Sequence, residues 1–238
     1  MRLESSDLKI DCTFCPIRHS AICSRCEEDE LVELNAIKFY KPIPAGQTIA
    51  IRGDRLDIIA SIVSGVATLT RAIDDGRTQV TGLLLPSDYI GRPGRDTAPH
   101  DITAVTDLTL CCFHKRPFEE LLARTPHLHE RMLEMALDEL DAAHEWMLLL
   151  GRKSAREKIA SLLLLILRRS HIAGDGSASI ELPLSRESIA NYLGLTIETV
   201  SRQITALRKE GLIALEGTRK VVIPDPDALA AEAGETDA

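Results

Sequence analysis

Six cysteines are the residues of this sequence with the most specific chemistry, and they fall in two groups. Cys12, Cys15, Cys23 and Cys26 form the first group, and Cys111 and Cys112 are adjacent much further along the chain. Clustered cysteines in a cytosolic protein more often bind metal or carry out redox chemistry than form structural disulfides. Two C-x2-C pairs can also build a four-cysteine zinc site, although the gap of seven residues between them is shorter than in common zinc modules.

A second kind of chemistry, the reading of DNA, is indicated by residues 185–211. Ser185 can cap a first short helix, Gly194 provides the conformational freedom of a tight turn, and Thr196 can cap a second helix. A hairpin follows, with its turn at residues 217–220. The order cap, helix, glycine, cap, helix and hairpin predicts a winged helix-turn-helix.

The second helix of this motif has the side chains that a recognition helix needs. Glu198, Ser201 and Arg202 point outward on its first turns, where residues meet base edges in the major groove. Arginine pairs with guanine and glutamate accepts from cytosine, while Arg219 and Lys220 in the hairpin are placed for phosphate. The alternative is an ordinary helical hairpin with a surface Glu198–Arg202 pair.

The net charge of −8 would disfavour binding to nucleic acid, but it is an average over the whole chain. DNA responds to local potential, and the C-terminal third is basic, whereas acidic residues concentrate at residues 27–30 and 225–238. The sequence has no apolar run that could span a membrane and no signal peptide, so we expect a cytoplasmic protein. Its histidines form no nucleophile–base arrangement, so we expect no enzyme.

The patterns of apolar and turn residues along the chain predict an α+β protein in four segments. Residues 1–26 form the cysteine-rich segment, 27–126 a β-barrel sensor domain, 127–151 a dimerisation helix and 152–238 the DNA-binding domain. Short alternating runs separated by turn residues between 39 and 113 are typical of a small barrel or sandwich. A first helix is predicted over 27–38, a second over 117–122 and a further one over 153–169.

The long helix predicted over residues 127–151 has an apolar seam with heptad spacing. One reading is an amphipathic helix packed on its own domain; the other, which we favour, is pairing with a second copy of the chain. The seam has no charged residue, which predicts that it pairs even without a bound metal. Its residues are Leu133, Ala136, Leu140, Ala143, Met147 and Leu150.

Residues 185–213 resemble the helix-turn-helix of the CRP/FNR superfamily, and residues 191–202 are similar to its FNR branch. The resemblance extends over nearly the whole chain, and residues 15–19, 91–94 and 145–147 are similar to the FnrL group. It implies a homodimeric, oxygen-responsive regulator that holds a [4Fe–4S] cluster, binds double-stranded DNA at TTGAT-like half-sites and acts on RNA polymerase. Glu198, Ser201 and Arg202 match the family's DNA-reading positions.

The same resemblance implies a set of cluster ligands. Cys12, Cys15 and Cys23 match the three N-terminal ligands, although the family spacing is C-x2-C-x5-C and here two more residues precede Cys23. Cys111, rather than Cys112, falls at the fourth position, and adjacent strand residues face opposite ways. Cys26 is either a spare or replaces Cys23.

A regulator that responds to a cyclic nucleotide is a different hypothesis, because the family shares its barrel with such proteins. Residues 91–95 read Gly-Arg-Pro-Gly-Arg where that class has a Gly-Glu-Leu-type loop, and residues 101–103 lack the expected pair of an arginine followed by serine or threonine. These departures favour the iron–sulfur reading over a cyclic nucleotide.

Overall fold

The computed structural model of the chain describes residues 10–73, 75, 78–169, 178–217 and 219–235. The chain divides into two compact units. One comprises Met1–Gly76 and Thr81–Asp141, and the other comprises Arg77–Val80 and Ala142–Ala238. None of the helices described is long and apolar enough to cross a membrane.

Two four-stranded sheets form in the first half of the chain, and apart from residues 78–80 of β5 they belong to the first unit. The first sheet has the order β1-β8-β3-β6, with β1 Lys38–Ile43, β3 Ile58–Ser64, β6 Tyr89–Ile90 and β8 Leu108–His114. The second has the order β2-β7-β4-β5, with β2 Thr48–Ala50, β4 Ala67–Ala72, β5 Thr78–Leu84 and β7 Asp101–Ala104.

The predicted barrel is, more accurately, a jelly-roll-like sandwich. Apolar side chains from both sheets form one core between them, including Ile62 and Leu110 from the first sheet and Ile102 from the second. Within the described residues the edge strands of the two sheets do not pair, and β6 has only two residues. The sheets therefore pack face to face, and no continuous ladder closes a barrel.

The other face of the first sheet is covered by helices and by the cysteine-rich segment. Helix α1 (Glu28–Ile37) begins with a capping box, in which the Glu30 carboxylate accepts a hydrogen bond from the Glu27 amide at 2.8 Å. Helix α2 (Lys115–Leu122) follows β8 directly and buries Phe118 completely. Helix α2 begins two residues before its predicted start. Because α1, α2 and the cysteine-rich segment cover this face, the first sheet is buried on both sides.

Helix α3 (Pro126–Arg152) confirms the long predicted helix. It buries Leu128 and Met132 in the core under the first sheet and Leu149 near its other end. Leu133, Leu140 and Met147 of the predicted seam are all more than half exposed in the single chain, at 58%, 51% and 62%. More than half of the surface of each of these three side chains is therefore left uncovered by its own chain.

The second unit is arranged around the apolar helix α4 (Ala155–Arg169), which begins two residues later than predicted. Helix α6 (Ile197–Lys209) packs on it, and helix α5 (Arg186–Leu193) packs on α6. A sheet of order β10-β11-β9 follows, with β9 Ala178–Glu181, β10 Ala214–Glu216 and β11 Lys220–Ile223.

Two features of this unit were absent from the sequence-based prediction. The hairpin gains a third strand, β9, whose first two residues belong to a predicted loop; the described residues do not include 171–177 of that loop. Part of the predicted acidic tail is a helix, α7 (Pro226–Glu232), whereas residues 236–238 lie outside the description. Arg156 of α4 pairs with Glu232 at 2.5 Å, which ties α7 to the unit.

Candidate metal centre and nucleic-acid interface

The cysteine-rich segment is held by short-range hydrogen bonds. A 3-10 helix, Cys12–Phe14, is capped by Asp11, whose carboxylate accepts from the Thr13 amide at 2.8 Å. The Arg18 guanidinium donates to the Cys26 carbonyl at 2.8 Å, which closes the loop that contains Cys23. Arg131 of α3 donates to the Ser20 carbonyl at 2.8 Å. The segment is therefore fixed to the first unit between its cysteines.

Strand β8 sends its two adjacent cysteines to opposite sides of the first sheet. Cys111 belongs to the cluster that lies under α1 and α2, together with Cys26 and with Cys15 and Cys23 packed against it. Cys112 is completely buried in the core between the two sheets. This is the alternation expected for a strand, and it brings Cys111 to the N-terminal cysteines.

The electrostatics of the thiols indicate which of them are neighbours. Burial raises the pKa of Cys111, and the thiolate charges of Cys12, Cys23 and Cys15 add to the rise while Lys38 opposes it. Burial raises the pKa of Cys112 to about 12, and the charge of Lys41 opposes this rise.

The extra cysteine lies beside this group. Burial raises the pKa of Cys26 to about 12, with Cys23 as the first neighbouring charge, and raises that of Cys23 to about 11. All six cysteines are free. Because thiolates are the metal-binding form, a metal must displace protons from these buried thiols.

Clustered cysteines do not by themselves form a site for a single metal ion. Among the described residues, no three His, Cys, Asp or Glu side chains are grouped so as to hold one metal ion. A [4Fe–4S] cluster takes one thiolate at each of four irons, so its ligand sulfurs lie further apart than those around one zinc ion.

Three polar side chains near the cysteines were not identified from the sequence. They are Lys38 and Tyr40 on β1 and Ser61 on β3, and they share the face of Cys111. The polar Ser61 within the apolar run 58–63 is a signal in the sequence. The register that unites the three residues is visible only in the folded sheet.

The helix-turn-helix forms as its caps predict. The Ser185 hydroxyl accepts from the Ser188 amide at 3.0 Å at the start of α5, and the Thr196 hydroxyl accepts from the Thr199 amide at 3.2 Å at the start of α6. Gly194 ends α5 with φ of 63°, in the left-handed region that glycine tolerates. Val200, Ile204 and Leu207 form the buried face of α6.

The predicted DNA-reading residues lie together on the outer face of α6. Glu198, Ser201 and Arg202 are exposed, and the Arg202 guanidinium donates to the Thr199 hydroxyl at 3.3 Å. Hydrogen bonds from the backbone and from Thr196 hold the pKa of Glu198 below its ordinary value, so it carries its negative charge at neutral pH. A surface depression runs along this face, lined by Ser201, Arg202, Thr205, Ala206 and Lys209.

The hairpin presents two exposed bases at its turn. Lys220 pairs with Glu216, its partner in the strand register, at 2.5 Å. Arg219 is exposed, and its carbonyl accepts from the Leu182 amide at 2.8 Å. The predicted turn also includes residue 218, which lies outside the described residues. Arg219 therefore has its side chain available to solvent, whereas Lys220 must leave a carboxylate before it can meet a phosphate.

A sandwich unit, a long helix with an exposed apolar seam and a winged helix-turn-helix, in this order along the chain, define a class of DNA-binding transcription regulators. Two family models match the chain accordingly. A Crp-like helix-turn-helix domain matches residues 157–232, and a cyclic nucleotide-binding domain matches residues 40–125.

The chain belongs to the CRP/FNR family of transcription regulators. It is 57% identical over 228 residues to the transcriptional activator protein FnrL of Cereibacter sphaeroides, covering 94% of this chain and 92% of that protein. It is 33% identical over 240 residues to the fumarate and nitrate reduction regulatory protein of Salmonella typhi, and the match covers 99% of this chain and 95% of that protein. The structure of FixK2 from Bradyrhizobium japonicum is similar, with a TM-score of 0.76 at 28% identity, covering 85% of this chain and 99% of that one.

Proposed function

We propose that this chain is an oxygen-responsive transcription regulator of anaerobic and microaerobic genes. In this proposal a [4Fe–4S] cluster is held by Cys12, Cys15, Cys23 and Cys111, and the protein acts in the cytoplasm as a homodimer on a palindromic, TTGAT-like DNA site. The observation that carries it is the packing of Cys111 with Cys15 and Cys23 on one face of the first sheet, with the charge of Cys12 acting on the same thiol.

The donor set fits such a cluster. Cys111 of β8 packs in the same apolar cluster as Cys15 and Cys23, and the charge of Cys12 also acts on it; thiolates are the ligands of iron–sulfur clusters. Beside Cys111 the Ser61 hydroxyl is buried with no partner among the described residues, which leaves a hydrogen-bond donor for an additional group. When bound, the cluster supplies electron-transfer and oxygen chemistry, whereas the protein supplies ligands, hydrogen bonds and exclusion of water.

The proposed domains follow the segments 1–26, 27–126, 127–151 and 152–238. The cysteine segment joins distant parts of the first unit, so loading of the site stabilises the arrangement in which β8, α1 and the segment are held together. The exposed seam of α3 provides the pairing surface for a second copy. A dimer presents two copies of α6, which suits a DNA site with two-fold symmetry.

Activation of transcription requires contact with RNA polymerase, which we propose as the further partner. The relatives include transcriptional activator proteins that match over most of their length. Arg202 and Glu198 are proposed to read bases, Ser201 and Thr196 to fix the recognition helix on the DNA, and Arg219 and Lys220 to bind phosphate.

The test is anaerobic purification followed by a visible absorption spectrum with iron and acid-labile sulfide counts. We expect about four irons and about four sulfides per chain. Cys111→Ser should abolish the absorbance, while the matched Cys112→Ser and Cys26→Ser should retain it. Loss at Cys112 with retention at Cys111 would overturn the ligand assignment, and zinc without sulfide would replace the cluster by the zinc alternative.

A cyclic nucleotide is the other effector to be tested with the same protein. At the start of β7 Asp101 accepts a hydrogen bond from the Arg52 amide at 2.8 Å, and its carboxylate would repel a phosphate. We expect cyclic AMP to leave the affinity for DNA unchanged. A tightening of specific DNA binding by cyclic AMP in iron-free protein would favour the alternative.

A further inference from the structure

A row of polar side chains crosses the first sheet at the position of Cys111. Tyr40 on β1 and Ser61 on β3 are the register partners of Cys111 on the strand between them. Directly opposite residues of neighbouring antiparallel strands share a face of the sheet. The two hydroxyls therefore flank the Cys111 sulfur on the side where the cysteine-rich segment lies.

Ser61 is the least expected member of this row. It is 2% exposed, it lies within the apolar run Ile58–Val63, and its hydroxyl has no hydrogen-bond partner in the part of the chain that is described. A buried hydroxyl without a partner is destabilising, so alanine would be the more stable residue here. Its presence points to an acceptor that the polypeptide itself does not provide.

Tyr40 has one hydroxyl proton and two neighbouring acceptors. The proton is donated to the Ile10 carbonyl at 3.1 Å, and Cys111 lies directly opposite Tyr40 in the strand register. While Cys111 is a thiol, its own S–H can donate to the Tyr40 oxygen. A metal-bound thiolate can only accept hydrogen bonds, so the hydroxyls of Tyr40 and Ser61 would be its donors.

Lys38 extends the row toward the N-terminal cysteines. It lies two residues before Tyr40 on the same face of β1, and its ammonium is 3.3 Å from the Cys12 sulfur. The same ammonium also donates to the Ile10 carbonyl and lies 5.3 Å from the centre of the Tyr40 ring. A hydrogen bond from a cation to a thiolate is stronger than one from a neutral donor.

We propose that Lys38, Tyr40 and Ser61 are positioning residues that donate hydrogen bonds to the metal-bound sulfurs of Cys12 and Cys111. This inference rests on the proposed function, because it assigns these residues to the cluster site. Hydrogen bonds to the ligand sulfurs and nearby positive charge are among the factors that set the properties of an iron–sulfur cluster.

The expected direction follows from charge. An oxidant such as dioxygen, if it took one electron from a bound cluster, would leave the cluster one unit more positive. The ammonium of Lys38 disfavours a more positive neighbour, and donated hydrogen bonds withdraw electron density from the sulfurs. Removal of these donors should therefore shorten the lifetime of the cluster in air.

The first experiment uses Ser61→Ala in the full-length chain, with Ser64→Ala on the same strand as the matched control. Iron-free Ser61→Ala should unfold at a higher temperature than the wild type, because a buried unpaired hydroxyl has been removed. Its reconstituted cluster should nevertheless lose absorbance several-fold faster in air-saturated buffer. A purely structural serine cannot produce opposite changes in these two quantities.

The second experiment changes charge on one strand. Lys38→Met should shorten the half-life of the absorbance by roughly 10-fold, and Lys38→Arg should restore most of it. Lys41→Met removes the same charge from the opposite face of β1 and should decay as the wild type does. Tyr40→Phe should lie between the wild type and Lys38→Met, since it removes a neutral donor.

The outcomes distinguish the inference from the function on which it rests. If the wild type binds neither iron nor sulfide, the proposed function fails. If the wild type loads a cluster while Ser61→Ala and Lys38→Met decay at the rates of their controls, the function stands and the inference is wrong. If Lys41→Met decays as fast as Lys38→Met, net charge rather than a directed hydrogen bond is responsible, which also contradicts the inference.

Discussion

The indole of Trp146 stacks on the phenol ring of Tyr192, with ring centroids 3.9 Å apart and an angle of 23° between the planes. Trp146 lies near the end of α3, and Tyr192 is a buried residue of the first helix of the DNA-binding motif. The contact lies within the second unit, so this part of α3 is packed directly on the helix-turn-helix. Any rotation of the end of α3 must therefore disturb α5 or break the stack.

Tyr192→Leu should destabilise the second unit by about 0.5–1.5 kcal/mol beyond the loss of buried area, because stacked rings gain that much from their geometry. Trp146 is the only tryptophan of the chain, so its emission reports on this contact alone. We expect a red-shifted emission in Tyr192→Leu and an unchanged one in the control Tyr192→Phe. An unchanged spectrum in both variants would show that the rings do not stack in solution.

Arg202→Ala should weaken specific DNA binding by roughly 1–3 kcal/mol and relax discrimination at one base pair. Fluorescence anisotropy with a specific duplex and a series of single-base variants measures both effects. Equal losses on specific and random DNA would contradict a base-reading role for Arg202.

The hairpin should behave differently, because phosphate contacts carry no sequence information. Lys220→Ala should weaken binding to all sequences alike and reduce the dependence of affinity on salt. Glu216→Gln is the complementary change: it releases Lys220 from its carboxylate and should tighten binding to any duplex. If Glu216→Gln has no effect at low salt, Lys220 does not contact the DNA backbone.

His127 should make the stability of the first unit depend on pH. A hydrogen bond with Glu30 at 3.0 Å, together with the charge of that carboxylate, raises the pKa of His127 above its ordinary 6.5. A raised folded-state pKa stabilises the protein fully below pH 6.5, and the gain is lost as pH rises through the folded value. Urea midpoints at about pH 6 and about pH 8.5 should differ less in His127→Gln than in the wild type.

The matched control for this prediction is His129→Gln, two residues further along α3. The His129 side chain is exposed, so its replacement should leave the difference between the two pH values as it is in the wild type. A wild type whose midpoint rises between the lower and the higher pH, with the rise abolished in His127→Gln, would reverse the predicted sign.

Iron-free protein should still be dimeric at about 10 µM, because the α3 seam has no charge to oppose pairing. Leu137 and Leu148, outside the predicted seam, add further exposed apolar surface to the same helix, at 53% and 51% exposure. Leu140→Asp should give monomers, since pairing would bury two like charges. Sedimentation velocity measures the oligomeric state. An iron-free wild type that is monomeric, and dimerises only after reconstitution of the cluster, would contradict the prediction of an iron-free dimer.

The matched control for the seam is Asp138→Leu, which changes an exposed residue of α3 that already carries charge. It should leave the sedimentation coefficient of the dimer unchanged. If Leu140→Asp also remains dimeric, pairing uses another surface of the chain.

The sequence was sufficient to predict the helix-turn-helix because its signals are local. Ser185, Gly194 and Thr196 each determine a helix end through contacts within three or four residues, and all three predictions are confirmed. Helix α7 was missed although its signals are local: Asp225 caps it, Pro226 stands in its first turn and alanines follow. Its pairing with Arg156 of the distant helix α4 could not be predicted from the sequence. Strand β9 was missed because its partner β11 lies about 40 residues later in the chain.

The cysteine site was predictable only in part for the same reason. Residue type and spacing identified the candidate ligands, and strand alternation predicted that Cys111 and Cys112 face opposite ways, as they do. Lys38, Tyr40 and Ser61 could not be assigned to the site, because only the pairing of β1 and β3 with β8 brings them to Cys111. A register is a long-range property that no local pattern specifies.

Strand β8 has a consequence for how such a protein can evolve. An insertion or deletion of one residue in β8 would bring Cys112 to the cysteine-rich segment, but it would also turn Leu110 out of the sandwich core. The N-terminal loop is constrained differently, because residues between Cys15 and Cys23 are held by turns and by the burial of Ile17 and Ile22 rather than by a ladder. A change in the spacing of the N-terminal cysteines would therefore displace only residues of one loop. A shift of the distant cysteine would displace residues of two cores, one on each side of β8.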